Sequence, residues 1–224
     1  MMMPETKPDA VAIAILAKAP IPGQVKTRLA STLGPIGAAI LQTRLIGHAV
    51  DTACAAGIGA VTLWVTPDED HSAFRDIARR HPVTFAHQPD GDLGARMLAA
   101  ISAHSPAIVI GTDCPALTPD HLRLAASVLH GGVDAVAFPA DDGGYVLIGM
   151  RQPQPGLFTG MSWGIDSVMH DTRRRLVQLG LSWREPAQLW DVDRPADLLR
   201  MRECGLGALL PPEGPLTPGL PSHA

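Results

Sequence analysis

The sequence predicts an α/β fold, and three observations carry that prediction. Apolar runs of strand length recur at 11–16, 60–65, 84–86, 107–111, 135–139 and 145–150. They are unbroken rather than alternating, as expected of strands buried on both faces of a sheet. Segments with helical patterns lie between or after them at 36–56, 70–80, 94–104, 120–130 and 165–179. This alternation implies a mostly parallel sheet covered by helices on both sides.

The first strand opens into Ala17-Lys18-Ala19-Pro20-Ile21-Pro22-Gly23-Gln24-Val25-Lys26-Thr27-Arg28-Leu29. Only three lysines occur in the chain, and two of them fall in this Pro/Gly-punctuated loop beside an arginine. Cations and free backbone N–H groups at the carboxyl end of a buried strand suit an anionic ligand. A solvated surface loop is the competing reading. The strand at 107–111 ends in Gly111-Thr112-Asp113-Cys114-Pro115, placing a carboxylate at the same sheet edge, and Thr118-Pro119-Asp120 caps the next helix. Together the two loops suit a magnesium–phosphate complex, which needs one or two carboxylates besides phosphate oxygens and waters. Asp113 could otherwise be a turn residue bonded to its own backbone.

Regularity breaks after residue 134. The runs 135–139 and 145–150 are separated only by Ala140-Asp141-Asp142-Gly143-Gly144, too short for a helical crossover, so these strands are expected to be antiparallel or splayed around a turn. Asp191-Val192-Asp193-Arg194-Pro195 precedes a helix at 196–203. One aspartate of that triplet is expected to face the crevice as a second metal ligand. Asp193 is preferred, with helix capping as its competing role.

Length and a 46% hydrophobic composition fit one domain, placed at 11–204. Residues 1–10 are expected to be flexible, and the Pro/Gly-rich stretch 205–224 to be a mobile tail. A net charge of -4 argues against nucleic acid as a partner, and the triplet Arg173-Arg174-Arg175 reads as a solvated helix face. Cysteines 54, 114 and 204 form no CxxC pair, so neither a disulfide framework nor a cysteine zinc site is expected. With no apolar leader and no run long enough to span a membrane, the expectation is a cytoplasmic protein. Neither GxGxxG after the first strand nor GxxxxGK[ST] is present, so an anion site must be built another way.

Five ordered segments, the loop AKAPIPGQVKTRL, QPDGDLGARM at 88–97, GTDCPAL, PADDGGYVLIG at 139–149 and WDVDRPADL, resemble the GT-A type nucleotide-diphospho-sugar transferases. The nearest subgroup is the radical-SAM/selenodomain-associated transferase 1 set, also labelled arsenosugar biosynthesis glycosyltransferase. The resemblance implies a single-domain GT-A (Rossmann-like) three-layer sandwich. It places Lys18, Gly23, Lys26 and Arg28 on the phosphates, with Lys26 and Asp113 central to catalysis and Asp113 and Asp193 on Mg²⁺ or Mn²⁺. It sets Gln88, Gly91, Asp92 and Arg96 beside the nucleobase and ribose, and Asp142, Gly143, Gly144 and Tyr145 on the acceptor side. Gly94 could simply open a helix, and 142–145 could be a plain hairpin turn.

The implied partners are a nucleotide or nucleotide sugar and a small acceptor, and the implied activity is Mg²⁺-dependent glycosyl transfer. One departure is chemical: many sugar-transferring relatives carry DxD at the metal strand, whereas this chain has Asp113-Cys114-Pro115. That leaves open nucleotidyl transfer to a phosphorylated acceptor, in the manner of guanylyltransferases. A nucleotide-binding module without catalysis is the third possibility, and turnover would discriminate.

Overall fold

The computed structural model describes residues 10–212. Seven strands form one sheet in the order β3-β2-β1-β4-β6-β5-β7. They are β1 (Ala12–Lys18), β2 (Val61–Thr66), β3 (Thr84–His87), β4 (Ala107–Ile110), β5 (Ala135–Pro139), β6 (Tyr145–Met150) and β7 (Trp183–Arg184). The first four are mutually parallel. β6 runs antiparallel to both β4 and β5, as the short connection at 140–144 requires.

The helices are α1 (Ala30–Ala56), α2 (Ser72–Arg80), α3 (Leu93–Ala103), α4 (Pro119–His130), α5 (Pro155–Phe158), α6 (Val168–Gln178) and α7 (Pro195–Glu203). Gly34 breaks the first turns of α1 with φ 67°, so its regular part starts near the expected residue 36. Side chains alternate across β1: Ile13, Ile15 and Ala17 pack with α1, α2 and α4, whereas Ala14 packs with α3, α5 and α6. The result is the expected three-layer α/β sandwich.

β7 and α5 escape the sequence reading because two and four residues are too short to show a period. A third cluster lies outside the sandwich. There α1 presents Leu41 and Leu45 to Trp190, Val192, Leu198, Met201 and Leu210 of the C-terminal segment. Leu210 is buried, and Arg44 donates to the carbonyls of Ala208 and Leu210. The mobile tail expected from 205 is therefore corrected for 205–212, which Leu206, Leu209 and Leu210 dock onto the protein. Residues 1–9 and 213–224, including most of the expected flexible N-terminus, lie outside the described residues. Among the described residues no helix is long and apolar enough to cross a membrane.

Candidate functional site

Parallel strands bring their carboxyl ends to one edge, and there β1, β4 and the 140–145 turn enclose a cleft of about 490 Å³. The basic loop supplies Lys18, Gln24, Val25 and Lys26 to its lining. Gly23 (φ 79°) and Lys26 (φ 48°) both take left-handed backbone, the latter uncommon for a residue with a side chain. Buried Val25 anchors the loop, and Lys18 Nζ donates to the Gln24 carbonyl at 2.8 Å.

The Lys26 side chain is only 5% exposed, so its charge requires partners. Its ammonium lies 2.8 Å from Asp113 Oδ1 and donates to the Val192 carbonyl at 2.6 Å. Behind Asp113, buried Gln42 of α1 donates to Thr112 Oγ1 at 3.0 Å, and Thr112 donates on to Asp113 Oδ1 at 3.2 Å. His48 bonds the Pro115 carbonyl at 3.0 Å, so α1 braces this turn at two points. Val192 N donates to the Asp113 carbonyl at 2.8 Å, which lays the 191–193 segment against the β4 turn.

That docking decides which aspartate faces the cleft. Val192 is fully buried in the outer cluster, and Asp191 lines the cleft together with Asp113 and Asp142. Asp193 is turned elsewhere: its carboxylate pairs with Arg28, while Asp197 accepts from the amides of Asp193 and Arg194 to start α7. The structure thus puts Asp191, rather than the preferred Asp193, in the cleft lining, and Arg28, largely exposed, does not line it either. Burial, then the nearby charges of Asp142 and Asp113, push the Asp191 carboxyl up to about 6, against a smaller opposing pull from Lys26. Among the described residues no three His, Cys, Asp or Glu side chains converge as a ready-made metal cage. Burial pushes the Cys114 thiol up to about 12, so it is a neutral packing residue rather than a nucleophile.

The segment 88–97 makes its hydrogen bonds mostly within the protein. Gln88 is buried, donating to the carbonyls of Ala17 (3.0 Å) and Trp64 (2.7 Å) and accepting from Arg96 (3.3 Å). Asp92 caps α3 through Ala95 N at 2.8 Å, and Gly91 adopts φ 117°. None of Gln88, Gly91, Asp92 and Arg96 lines the cleft, whereas Leu93 and Met97 do. Gly94 lies inside α3, where a Cβ would stand 2.8 Å from the Trp163 ring.

At the turn after β5, Asp142, Gly144 and Tyr145 line the cleft. Gly143 (φ 91°) presses against the Asp166 backbone, leaving no room for a side chain, and its carbonyl accepts from Met169 N at 2.8 Å. Tyr145 is enclosed, with its hydroxyl pKa raised by burial. Its hydroxyl sits 3.7 Å from Met97 Sδ, and its ring meets Trp163 edge-on at 6.4 Å. Trp163, Ile165 and Val168 complete this wall. None of the three was among the expected site residues: Trp163 lies in an irregular stretch where a single tryptophan carries no pattern, and Ile165 and Val168 read only as members of the helical pattern at 165–179.

The fold recurs in solved structures. A protein of Desulfovibrio desulfuricans G20 assigned as a nucleotide-diphospho-sugar transferase is 29% identical, with 82% of each chain covered and a TM-score of 0.74. A nucleotidyl transferase of Methanothermobacter thermautotrophicus shares 15% identity over 88% of this chain and 99% of its own, TM-score 0.57. Rv0371C of Mycobacterium tuberculosis, in complex with manganese, shares 17% over 87% and 99%, TM-score 0.51. At such identities the last two speak for the fold alone. No curated protein matches the sequence. The sheet order and these likenesses establish the GT-A-like fold that the five motifs implied. Residues 49–165, more than half of the chain, match the family described as "Uncharacterized protein conserved in bacteria (DUF2064)", and the chain belongs to that family.

Proposed function

We propose that this protein is a nucleotide-dependent transferase that uses a nucleoside-diphosphate sugar as donor. The observation that carries the reading is the buried Lys26 ammonium, held on left-handed backbone 2.8 Å from Asp113 and facing Asp191 across the same cleft. Phosphate oxygens recruit such cations, and Lys18 adds a second. The 29% identical relative assigned as a nucleotide-diphospho-sugar transferase supports the donor class.

The carboxylates fit a divalent cation. Asp113 and Asp191 share the cleft, and the like charge that crowds Asp191 is what a cation relieves. Asp113 and Asp191 would hold Mg²⁺ or Mn²⁺, with phosphate and water filling the remaining positions. Such an ion supplies charge neutralisation to the departing diphosphate. Lys18 and Lys26 bind the same phosphates, and Gln42, through Thr112, keeps Asp113 oriented. On the acceptor side a hydroxyl oxygen bonds to the anomeric carbon. The bond from that carbon to the β-phosphate oxygen breaks, and its electron pair leaves with the nucleoside diphosphate. The hydroxyl proton passes to Asp142, the carboxylate on that side.

Nucleotidyl transfer is the second reading, favoured by the single carboxylate of Asp113-Cys114-Pro115 at the end of β4. There an acceptor phosphate attacks the α-phosphorus of a nucleoside triphosphate and pyrophosphate leaves. The leaving group separates the two. Incubation with nucleotide sugars, Mg²⁺ or Mn²⁺ and an acceptor panel should release nucleoside diphosphate, and Asp113→Ala should abolish that release. Pyrophosphate formed from a triphosphate, requiring a phosphorylated acceptor, would overturn the first reading and establish the second. Neither product across the panel would leave a binding module.

A further inference from the structure

The charged side chains that line the cleft are Lys18, Lys26, Asp113, Asp142 and Asp191. The two lysines are used differently. Lys18 gives its ammonium to a carbonyl, that of Gln24, whereas the Lys26 ammonium meets a carboxylate, Asp113 Oδ1, at 2.8 Å. Asp113 is also one of the two residues that fit a divalent cation.

Burial makes the Lys26–Asp113 pair asymmetric. The lysine side chain is 5% exposed and the aspartate 52%, so the cation is enclosed while the carboxylate stays open. The ammonium is fixed from the backbone as well. It donates to the Val192 carbonyl at 2.6 Å, Val192 N donates to the Asp113 carbonyl at 2.8 Å, and the three residues close a ring. The Thr112 hydroxyl reaches the same Asp113 oxygen at 3.2 Å, so Oδ1 is taken by the protein's own donors.

This ring places a permanent positive charge on the carboxylate that a metal would share. Like charges on one carboxylate repel strongly in a site screened from water. With its carboxylates ionised, the lining carries two positive charges against three negative ones, and a bare divalent cation would leave the cleft net positive. A diphosphate reverses that balance, because its oxygens accept from the lysines and offset the metal together.

We infer that Lys26 is the resident counter-ion of the metal site: it satisfies Asp113 in the free protein, opposes the loading of a bare divalent cation, and couples metal entry to the arrival of a nucleotide's phosphates. The inference rests on the reading that a divalent cation and a nucleoside diphosphate share the cleft. It gives Lys26 two actions of opposite sign, one favouring phosphate and one opposing metal.

Mn²⁺ is titrated into the full chain alone and then with UDP, GDP, CDP or ADP, followed by calorimetry and by the paramagnetic resonance of free Mn²⁺. In the wild type a bound nucleotide should tighten Mn²⁺ binding by about tenfold or more. Lys26→Met keeps the stem and removes the charge, so bare Mn²⁺ should bind about tenfold more tightly than to the wild type, while nucleotide affinity falls. A general loss of structure cannot produce that gain. Lys26→Gln, which retains a donor for the Val192 carbonyl, should give the same sign and serves where the Met variant does not fold. Unchanged or weaker binding of bare Mn²⁺ in the folded variants would overturn the inference, as would wild-type Mn²⁺ affinity that is the same with and without nucleotide, or no Mn²⁺ binding in any arm. Tighter bare Mn²⁺ binding in the variants, with none of the four nucleotides bound by the wild type, would uphold the counter-ion and sink the transferase reading instead.

Discussion

The loop 17–29 and the segment 88–97 look alike in sequence, each mixing glycine, charge and amide side chains at the end of a strand. In the folded chain they do opposite work. Lys26 uses two of its three donors, on Asp113 and Val192, and keeps one for whatever enters the cleft it lines. Gln88 uses both amide donors on Ala17 and Trp64 and accepts from Arg96 with its oxygen, so its donors are committed to the scaffold and it lies outside the cleft lining. Composition marks where polar groups cluster. Whether the scaffold has already consumed their hydrogen bonds decides what they are for.

Lys26→Ala is the sharpest way to break the contrast. Removing the ammonium should weaken UDP or GDP binding by about thirtyfold or more, the range of a charge-assisted hydrogen bond to phosphate, while uridine or guanosine affinity stays within about twofold. Arg28→Ala should cost far less, because that side chain is exposed and paired with Asp193 outside the cleft. Equal calorimetric losses for nucleoside and nucleotide in the Lys26 variant would remove the lysine from the phosphates.

Gln88→Leu probes the other member of the pair. It leaves the Ala17 and Trp64 carbonyls without their side-chain donor in a buried site, a cost of about 2–3 kcal/mol. In a domain of this size the melting temperature should fall by roughly 4–10 °C. Nucleotide affinity of the folded fraction should be unchanged. A stable variant with weakened nucleotide binding would reverse the reading and restore the ligand role that the resemblance implied for Gln88.

The sheet was legible because its strands are continuous apolar runs whose spacing admits only one kind of connection. The antiparallel β5–β6 pair followed from a gap too short for a helix. Side-chain destinations were less legible. Nothing local says that Val192 will be buried against α1, yet that burial is what leaves Asp191 in the cleft and Asp193 with Arg28. Leu206, Leu209 and Leu210 likewise find their partners on distant helices, and a stretch of Pro and Gly around them shows no period that would announce it. Trp163 was invisible for the complementary reason: its seat is the absence of a side chain at Gly94, some seventy residues earlier.

The smallest expected effect tests the same contrast within one triplet, between Asp191, which among the described residues forms no salt bridge and feels only a weak pull from Lys26, and Asp193, which has Arg28. Burial and the neighbouring Asp142 and Asp113 raise the Asp191 carboxyl to about 6, above its value in the unfolded chain. Between roughly pH 4 and pH 6 the folded state therefore binds more protons than the unfolded state. Stability from this group is full below that window and is lost as pH rises through it. Asp191→Asn, measured with a chelator present, should thus melt higher than the wild type at pH 8 and match it near pH 4. Asp191 is only half-buried and screened by solvent, so the gap at pH 8 should be about 2–4 °C. Asp193→Asn should show no such pH-dependent gain, because it removes a favourable pair rather than a crowded charge. An Asp191→Asn variant that is less stable than the wild type at pH 8 would mean that a cation other than Lys26 already satisfies this carboxylate in the metal-free protein, and Asp191 would lose its claim as the open ligand of the cleft.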